Sequence, residues 1–261
     1  MKQVLQGLLA LSLAAASPAV ADRMVSKTLP LAADGKVTID TYKGSIRIAP
    51  WDRAEVAVEA RIVPDDSCGS ERDQKKWVED TEVVIEPSGR NVRIESDYDR
   101  LETGWSFLQG CTSRPFVHYR ISLPRAARLT IHDYKSDTDV RDFAGHLTLD
   151  TYKGSGALVG LSGALDLKTY KGEVRAVFTR LSEAVNAETF KGDVTLTLPS
   201  ASAFDLSADA GRKGEIVSDF EGAGAMRSSR RSGLRSSARV NGGGPRVTLS
   251  TEKGKLSIRR S

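Results

Sequence analysis

The sequence predicts an all-β chain wound as a parallel β-solenoid with rungs of 18–20 residues. Three observations carry that expectation: a recurring Tyr-Lys-Gly triplet, alternation of apolar and polar residues around it, and a second marker half a repeat later. The triplet stands at Tyr42-Lys43-Gly44, Tyr152-Lys153-Gly154 and Tyr170-Lys171-Gly172, with near copies at Tyr134-Lys135-Ser136, Phe190-Lys191-Gly192, Arg212-Lys213-Gly214 and Glu252-Lys253-Gly254. Tyr134 to Tyr152 and Tyr152 to Tyr170 each span 18 residues, and Tyr170 to Phe190 spans 20, short enough for one coil.

Alternation defines the strands. Val37-Thr38-Ile39 precedes the first triplet and Ile46-Arg47-Ile48 follows it, and the register recurs at Leu147-Thr148-Leu149, Leu165-Asp166-Leu167, Val194-Thr195-Leu196, Val247-Thr248-Leu249 and Leu256-Ser257-Ile258. A period of two buries one face of each strand. Gly44, Gly154, Gly172 and Gly192 fall where the chain turns, and they are expected at positive φ, which glycine tolerates without strain. The half-repeat marker, at Trp51, Phe143, Leu161, Leu181 and Phe220, supplies a second corner. Each coil then holds two strands, stacked on their equivalents in the next coil at ~4.8 Å. An antiparallel sandwich also fits short, regularly spaced strands, but it has no need of the same residue at every corner.

In chain order, residues 1–21 read as a signal peptide: Met1 and Lys2, an apolar run from Val4 to Ala16, and a small-x-small site at Ala19-Val20-Ala21. That leader implies a periplasmic, secreted or cell-surface protein, and no later apolar run is long enough for a transmembrane anchor. Residues 22–35 lead into a single solenoid domain, 36–261, whose rungs begin near Lys36, Arg128, Leu147, Leu165, Val185, Asp205 and Pro245. Two segments interrupt it. Insertion 62–125 contains a short helix around Asp73 to Trp77 and a hairpin, Thr81 to Glu86 with Asn91 to Ser96, joined by Pro87-Ser88-Gly89-Arg90. The second, 222–244, is rich in Gly, Ser and Arg and reads as a mobile loop. Cys68 and Cys111 are the only cysteines, and in an oxidising compartment their default is a disulfide across a 44-residue loop.

Composition sets the outer bounds. With 39% hydrophobic and 28% charged residues the chain can fill an elongated core and is not disordered throughout. Net charge is +4, too mild to imply nucleic acid as a partner.

Several runs together resemble a known group. They are Tyr119-Arg120-Ile121-Ser122-Leu123-Pro124 leading into Leu129-Thr130-Ile131, the Tyr-Lys-Gly rungs, Gly192-Asp193-Val194-Thr195-Leu196-Thr197-Leu198-Pro199, and Val247 through Ile258. The pattern is similar to the bacterial putative-adhesin domain of unknown function, whose members are secreted or envelope-anchored β-solenoids. The resemblance covers roughly 36–260. It implies association with the cell envelope and leaves the ligand open.

Aligned corners would stack Tyr42, Tyr134, Tyr152, Tyr170 and Phe190 into an aromatic column beside a basic stripe of Lys43, Lys135, Lys153, Lys171 and Lys191. Stacking alone would account for the column, at ~0.5–1.5 kcal/mol per ring pair. The functional alternative is a repetitive aromatic and cationic face for an acidic envelope polymer or another envelope protein. Arg227, Arg230, Arg231, Arg235 and Arg239 crowd the second interruption. They read either as a solvated linker or as an anion-binding loop, since guanidinium forks grip phosphates bidentately. His118, His132 and His146 occupy unrelated positions in their repeats, so no metal set and no cofactor is implied.

The sequence therefore points to a non-catalytic, adhesin-like binding or scaffold module. The alternative is a carbohydrate-active enzyme, a lyase or glycosidase, using Asp133, Asp137, Asp139 and Asp142, although alternation should splay those acids over different faces. No nucleophile elbow, zinc-ligand helix or phosphate-binding loop occurs.

Overall fold

The computed structural model describes residues 22–102, 113–221 and 233–261. Among them eighteen strands form one hydrogen-bonded sheet, and its pairings fall into two mostly parallel ladders. The first ladder runs β4 (Glu82–Ser88), β5 (Asn91–Asp97), the front half of β2 (Lys36–Trp51), the front half of β7 (Arg128–Arg141), β8 (Leu147–Thr151), β10 (Leu165–Thr169), β12 (Val185–Thr189), β17 (Arg246–Thr251), β14 (Phe204–Ala210) and β16 (Leu234–Val240). The second runs β1 (Arg23–Pro30), β3 (Glu55–Val63), β6 (Phe116–Pro124), the rear halves of β2 and β7, β9 (Ser155–Leu161), β11 (Val174–Phe178), β13 (Val194–Leu198), β18 (Lys255–Arg260) and β15 (Glu215–Ser218). Antiparallel pairs occur only toward the ends of the ladders: β4 with β5, β14 with β16, and β1 and β6 on either side of β3.

Register places like on like. Leu129 pairs with Leu147, Leu147 with Leu165, Leu165 with Val185 and Val185 with Val247, and all five side chains are buried. Burying each such side chain contributes ~1.5–3 kcal/mol. Inward residues of both ladders merge into one apolar cluster, so the architecture is all-β and solenoid-like with a continuous core.

The order of layers differs from the order of the chain. β12 pairs with β17, not with β14, so the layer of β17 and β18 lies between that of β12 and β13 and that of β14 and β15. At the other end, β2 lies between β7 and the pair β5 and β6. The segment read as an insertion thus adds strands to both ladders, and it also contains α1 (Glu71–Asp80) and the expected hairpin, with Ser88 paired to Asn91. Ser70 and Asp73 cap α1 reciprocally, and Trp77 and Val78 bury its inner face. A short α2 (Asp99–Glu102) follows β5.

The part of the Arg-rich loop from Leu234 to Val240 is a strand, β16, because its alternation lets Ser236 and Val240 turn inward against β14. Residues 1–21, Cys111, Arg227, Arg230 and Arg231 lie outside the described residues. Cys68 is partly buried against the core, and its pairing with Cys111 stays an expectation. Among the described residues no helix is long and apolar enough to cross a membrane.

Candidate functional site: an aromatic column and its flanking groove

The corner is a four-residue unit that begins one residue before the triplet. Thr151 Oγ1 accepts a hydrogen bond from the Gly154 amide, and the same contact recurs from Gly172 to Thr169, Gly192 to Thr189 and Gly254 to Thr251, each at 2.9 Å. Backbone pairing continues around the bend, with Lys153 N–H donating to the Tyr134 carbonyl at 2.8 Å and Lys171 N–H to that of Tyr152 at 3.0 Å. Coils therefore stay in contact through the turn, which leaves little room at the fourth position. A Cβ on Gly172 would lie 1.8 Å from the Gly154 carbonyl oxygen, and one on Gly192 would lie 1.9 Å from that of Gly172. Only Gly44 of the four has positive φ, at 138°. The expectation of positive φ is thus corrected for Gly154, Gly172 and Gly192: close approach of the next coil excludes a side chain there.

With each corner stacked on the last, the aromatic residues form the expected column. Ring centroids are 4.8 Å apart for Tyr42 and Tyr134, 5.0 Å for Tyr134 and Tyr152, 4.7 Å for Tyr152 and Tyr170, and 4.9 Å for Tyr170 and Phe190, with planes within 12°. The ends are closed by cations. The Arg114 guanidinium lies 4.2 Å from the Tyr42 centroid, and Lys253 Nζ lies 4.9 Å from that of Phe190. Cations favour the electron-rich ring face. Every ring face is thereby engaged by a neighbour, and solvent meets ring edges, most openly at Tyr152. A ligand cannot stack on this column; it can only lie against its side.

Three of the corner lysines stay within reach of the rings, with Lys171 Nζ 5.8 Å from the Tyr170 centroid and Lys191 Nζ 5.7 Å from that of Phe190. Lys135, Lys153, Lys171 and Lys191 are exposed, and Lys153 Nζ stands 5.4 Å and 5.5 Å from the Tyr134 and Tyr152 centroids. Lys43 is the exception to the expected stripe. It is buried, ion-paired with Asp65 and 4.4 Å from the centre of Phe116, because the chain around Asp65 covers this end of the corner line. Arg235 and Arg239 likewise leave the expected anion-binding group, since Asp209 and Asp205 on β14 neutralise them at 2.7 Å and 3.3 Å.

Along the aromatic column runs a groove of about 1050 Å³, whose lining takes in the rings of Tyr134, Tyr152, Tyr170 and Phe190 but none of the corner lysines. Its floor is a charge ladder in register: Asp40, His132, Asp150, Lys168, Glu188, Ser250, Asp209, Arg235. Neighbours of opposite charge support the sheet by ~0.2–1 kcal/mol per pair. With Asp133 and Glu252 the lining holds six carboxylates against Lys168 and Arg235, so the groove is net acidic. These outward positions were missed because period two marks them only as polar. For Asp40, Asp150, Lys168, Glu188 and Ser250 the available signal was a fixed place one residue before a corner Thr.

Asp133 occupies the place that Thr holds in later coils. Its Oδ1 accepts from the Ser136 amide at 2.5 Å, while Oδ2 is buried without a hydrogen bond. Burial pushes this carboxyl up to about 6, against the pull of the neighbouring Thr151 and Ser136. A raised carboxyl pKa means the folded state holds the proton longer than the unfolded chain. Stability should therefore fall as pH rises from about 4 to about 6. Asp133→Thr is expected to raise unfolding free energy by about 1–3 kcal/mol at pH 8 and to have little effect at pH 4. Urea denaturation of both proteins at the two pH values checks this, and an equal change at both would refute it.

The four acids weighed for catalysis do not converge. Asp133 faces the groove, whereas Asp137 and Asp139 line a separate depression with Arg47 and Arg175. Asp137 accepts from Ser155, Asp139 is held by Arg141, and Asp142 sits at φ 52° in a bend. His146 pairs with Asp166 at 2.6 Å, and His132 lies 4.0 Å from Asp150.

No curated protein matches the chain in sequence. A solved structure from Clostridium sporogenes ATCC 15579, described as a putative cell adhesion protein, superposes with a TM-score of 0.50 at 14% identity, covering 92% of this chain and 100% of that one. A putative adhesin from Bacteroides fragilis NCTC 9343 gives 0.36 at 10% identity, covering 92% and 97%. A putative lipid binding protein from Parabacteroides distasonis ATCC 8503 gives 0.28 at 12%, covering 91% and 96%. The first likeness shows a shared fold. The model of the family Toastrack DUF4097 matches residues 126–259, from just before β7 to within β18, and the chain belongs to that family.

Proposed function

We propose that this chain is a non-catalytic, adhesin-like module of the cell envelope that holds a hydroxyl-rich polymer lengthwise in the groove beside the aromatic column. The carrying observation is the groove itself, which crosses successive layers and repeats similar polar groups at the 4.7–5.0 Å spacing of the rings. Repeated weak contacts along one chain add through effective concentration. Phenol edges and the charged side chains of the floor supply hydrogen-bonding groups suited to hydroxyls. The net negative floor repels an acidic polymer, so such a polymer would have to follow the exposed lysines instead. The family match, the expected leader and the adhesion-related description of one structural neighbour support an envelope setting. In this reading the repeats form a solenoid with coils of 18–20 residues, as the pairings of Leu147 with Leu165 and Leu165 with Val185 suggest.

A panel of neutral and acidic glycans tests the proposal. Neutral chains should bind, Glu188→Lys should weaken them about tenfold, a change of ~1.4 kcal/mol, and Lys171→Ala should leave them unchanged. Loss of binding on Lys171→Ala with none on Glu188→Lys would move the ligand to the lysine ridge. Release of reducing or unsaturated ends, abolished by Asp139→Asn, would instead establish the enzyme reading.

A further inference from the structure

On the face made by the second ladder, away from the groove, three arginines meet. Arg47 on β2 and Arg120 on β6 are register partners, and Arg61 on β3 is the partner of His118, also on β6. Like charges directly opposite each other on neighbouring strands work against a sheet, so the fold alone does not favour this arrangement. Together with Ser45 and Glu59 they line a cavity of about 380 Å³.

The nearby carboxylates do not quench all three. Asp22 is bound by Arg61, and Glu59 lies 3.6 Å from Arg120. Asp139, the register partner of Arg47 on its other side, is engaged by Arg141. Among the described residues Arg47 has no ion pair. His118 faces Ser45, with Nδ1 2.9 Å from the hydroxyl, and burial followed by the charges of Arg61 and Arg47 holds its imidazole below the usual range. At neutral pH it therefore offers a hydrogen-bonding ring without adding charge.

We propose that this cavity is an anion site for a phosphate or sulfate group. Arg47 and Arg120 supply guanidinium forks from adjacent strands, and Arg61, Ser45 and His118 close the side. Planar forks match tetrahedral oxyanions bidentately, and an anion between them offsets the repulsion between the paired guanidinium groups. The group could be a free ion or part of a lipid headgroup, and the same chemistry recognises both.

The test compares wild type, Arg47→Ala and Lys153→Ala by calorimetric titration with inorganic phosphate and sulfate. A second arm uses co-sedimentation with vesicles of phosphatidylglycerol in phosphatidylcholine against phosphatidylcholine alone. Arg47 is exposed, so its loss should not unfold the chain, and thermal unfolding without anion should leave Arg47→Ala at least as stable as wild type. Phosphate should bind wild type and Lys153→Ala alike and Arg47→Ala about tenfold more weakly. At a phosphate concentration that saturates wild type but not Arg47→Ala, it should also raise the His118 pKa, followed by NMR, in wild type and Lys153→Ala alike and less in Arg47→Ala. Vesicle binding that depends on Arg47 would assign the group to a lipid headgroup, and ion binding without vesicle binding would assign it to a small anion. Equal affinity of wild type and Arg47→Ala, or no phosphate binding by wild type, would overturn the proposal. Groove binding is read on other residues, so either site can fail without the other.

Discussion

Gly172→Ala is expected to destabilise the protein by about 3 kcal/mol, at the upper end of what overpacking a close contact costs. Alanine normally favours strand and turn backbones over glycine when φ is negative, because it restricts the unfolded chain. Here that gain is small beside the clash, since the new methyl would point at the Gly154 carbonyl 1.8 Å away. Gly172 cannot swing away freely, because its own amide donates to Thr169 Oγ1 and the adjoining Lys171 amide donates to the Tyr152 carbonyl. Gly172→Asn separates this cause from a backbone one. Asparagine tolerates positive φ better than most residues, so it would rescue a conformational requirement, but it carries the same Cβ and should be at least as harmful as alanine. Gly89, at φ 63° with open space around it, is the control: Gly89→Asn should change stability by less than about 1 kcal/mol. Chemical denaturation of the three variants decides the matter. Asparagine restoring stability at residue 172 while alanine does not would refute the steric account.

How far the sequence could be read follows from the same corner. Stacking of Tyr134, Tyr152 and Tyr170 was legible because identical residues at equal spacing have one simple use in a repeating fold. The reason for Gly172 was not legible, since a sequence shows that a side chain is missing and not which neighbouring atom excludes it. Layer order was hidden for a related reason: Val185 can pair as well with Val247 as with a residue of β14, and periodicity is blind to that choice. Lys43 and Lys153 look alike in their triplets. They differ through Asp65 and Phe116, both distant in sequence, which reach the first corner and bury its ammonium. Arg235 and Arg239 looked like free cations until β16 paired with β14 and set them opposite Asp209 and Asp205. Local pattern thus revealed the corner and the strands, whereas the charge of the candidate site depended on contacts between segments far apart.

Lys43→Met should cost about 3–5 kcal/mol at pH 7, the penalty for removing one partner of a buried ion pair. Its amino group donates to the Asp65 carboxylate and lies 3.3 Å from Ser113 Oγ, which itself donates to Asp65 at 2.7 Å. Burial by itself would lift the Asp65 pKa, but Lys43, Ser113 and the Ser67 amide together hold it well below the usual carboxylate range. A depressed carboxyl pKa contributes stability that is complete above the unfolded value of about 4 and is lost as pH falls from there toward the folded value. The gap between wild type and Lys43→Met should therefore be widest above about pH 5 and narrow at pH 3. Lys153→Met, at an exposed position, should change stability by less than about 0.5 kcal/mol at either pH. The double variant Lys43→Met with Asp65→Leu removes both charges, and it should recover most of the loss, because two apolar side chains leave no unpaired ion behind. Urea unfolding of wild type, both single variants and the double variant yields the coupling energy directly. A coupling near zero, or a Lys43→Met penalty that persists unchanged at pH 3, would mean that Lys43 acts through its aliphatic stem packed on Phe116 and not through its charge.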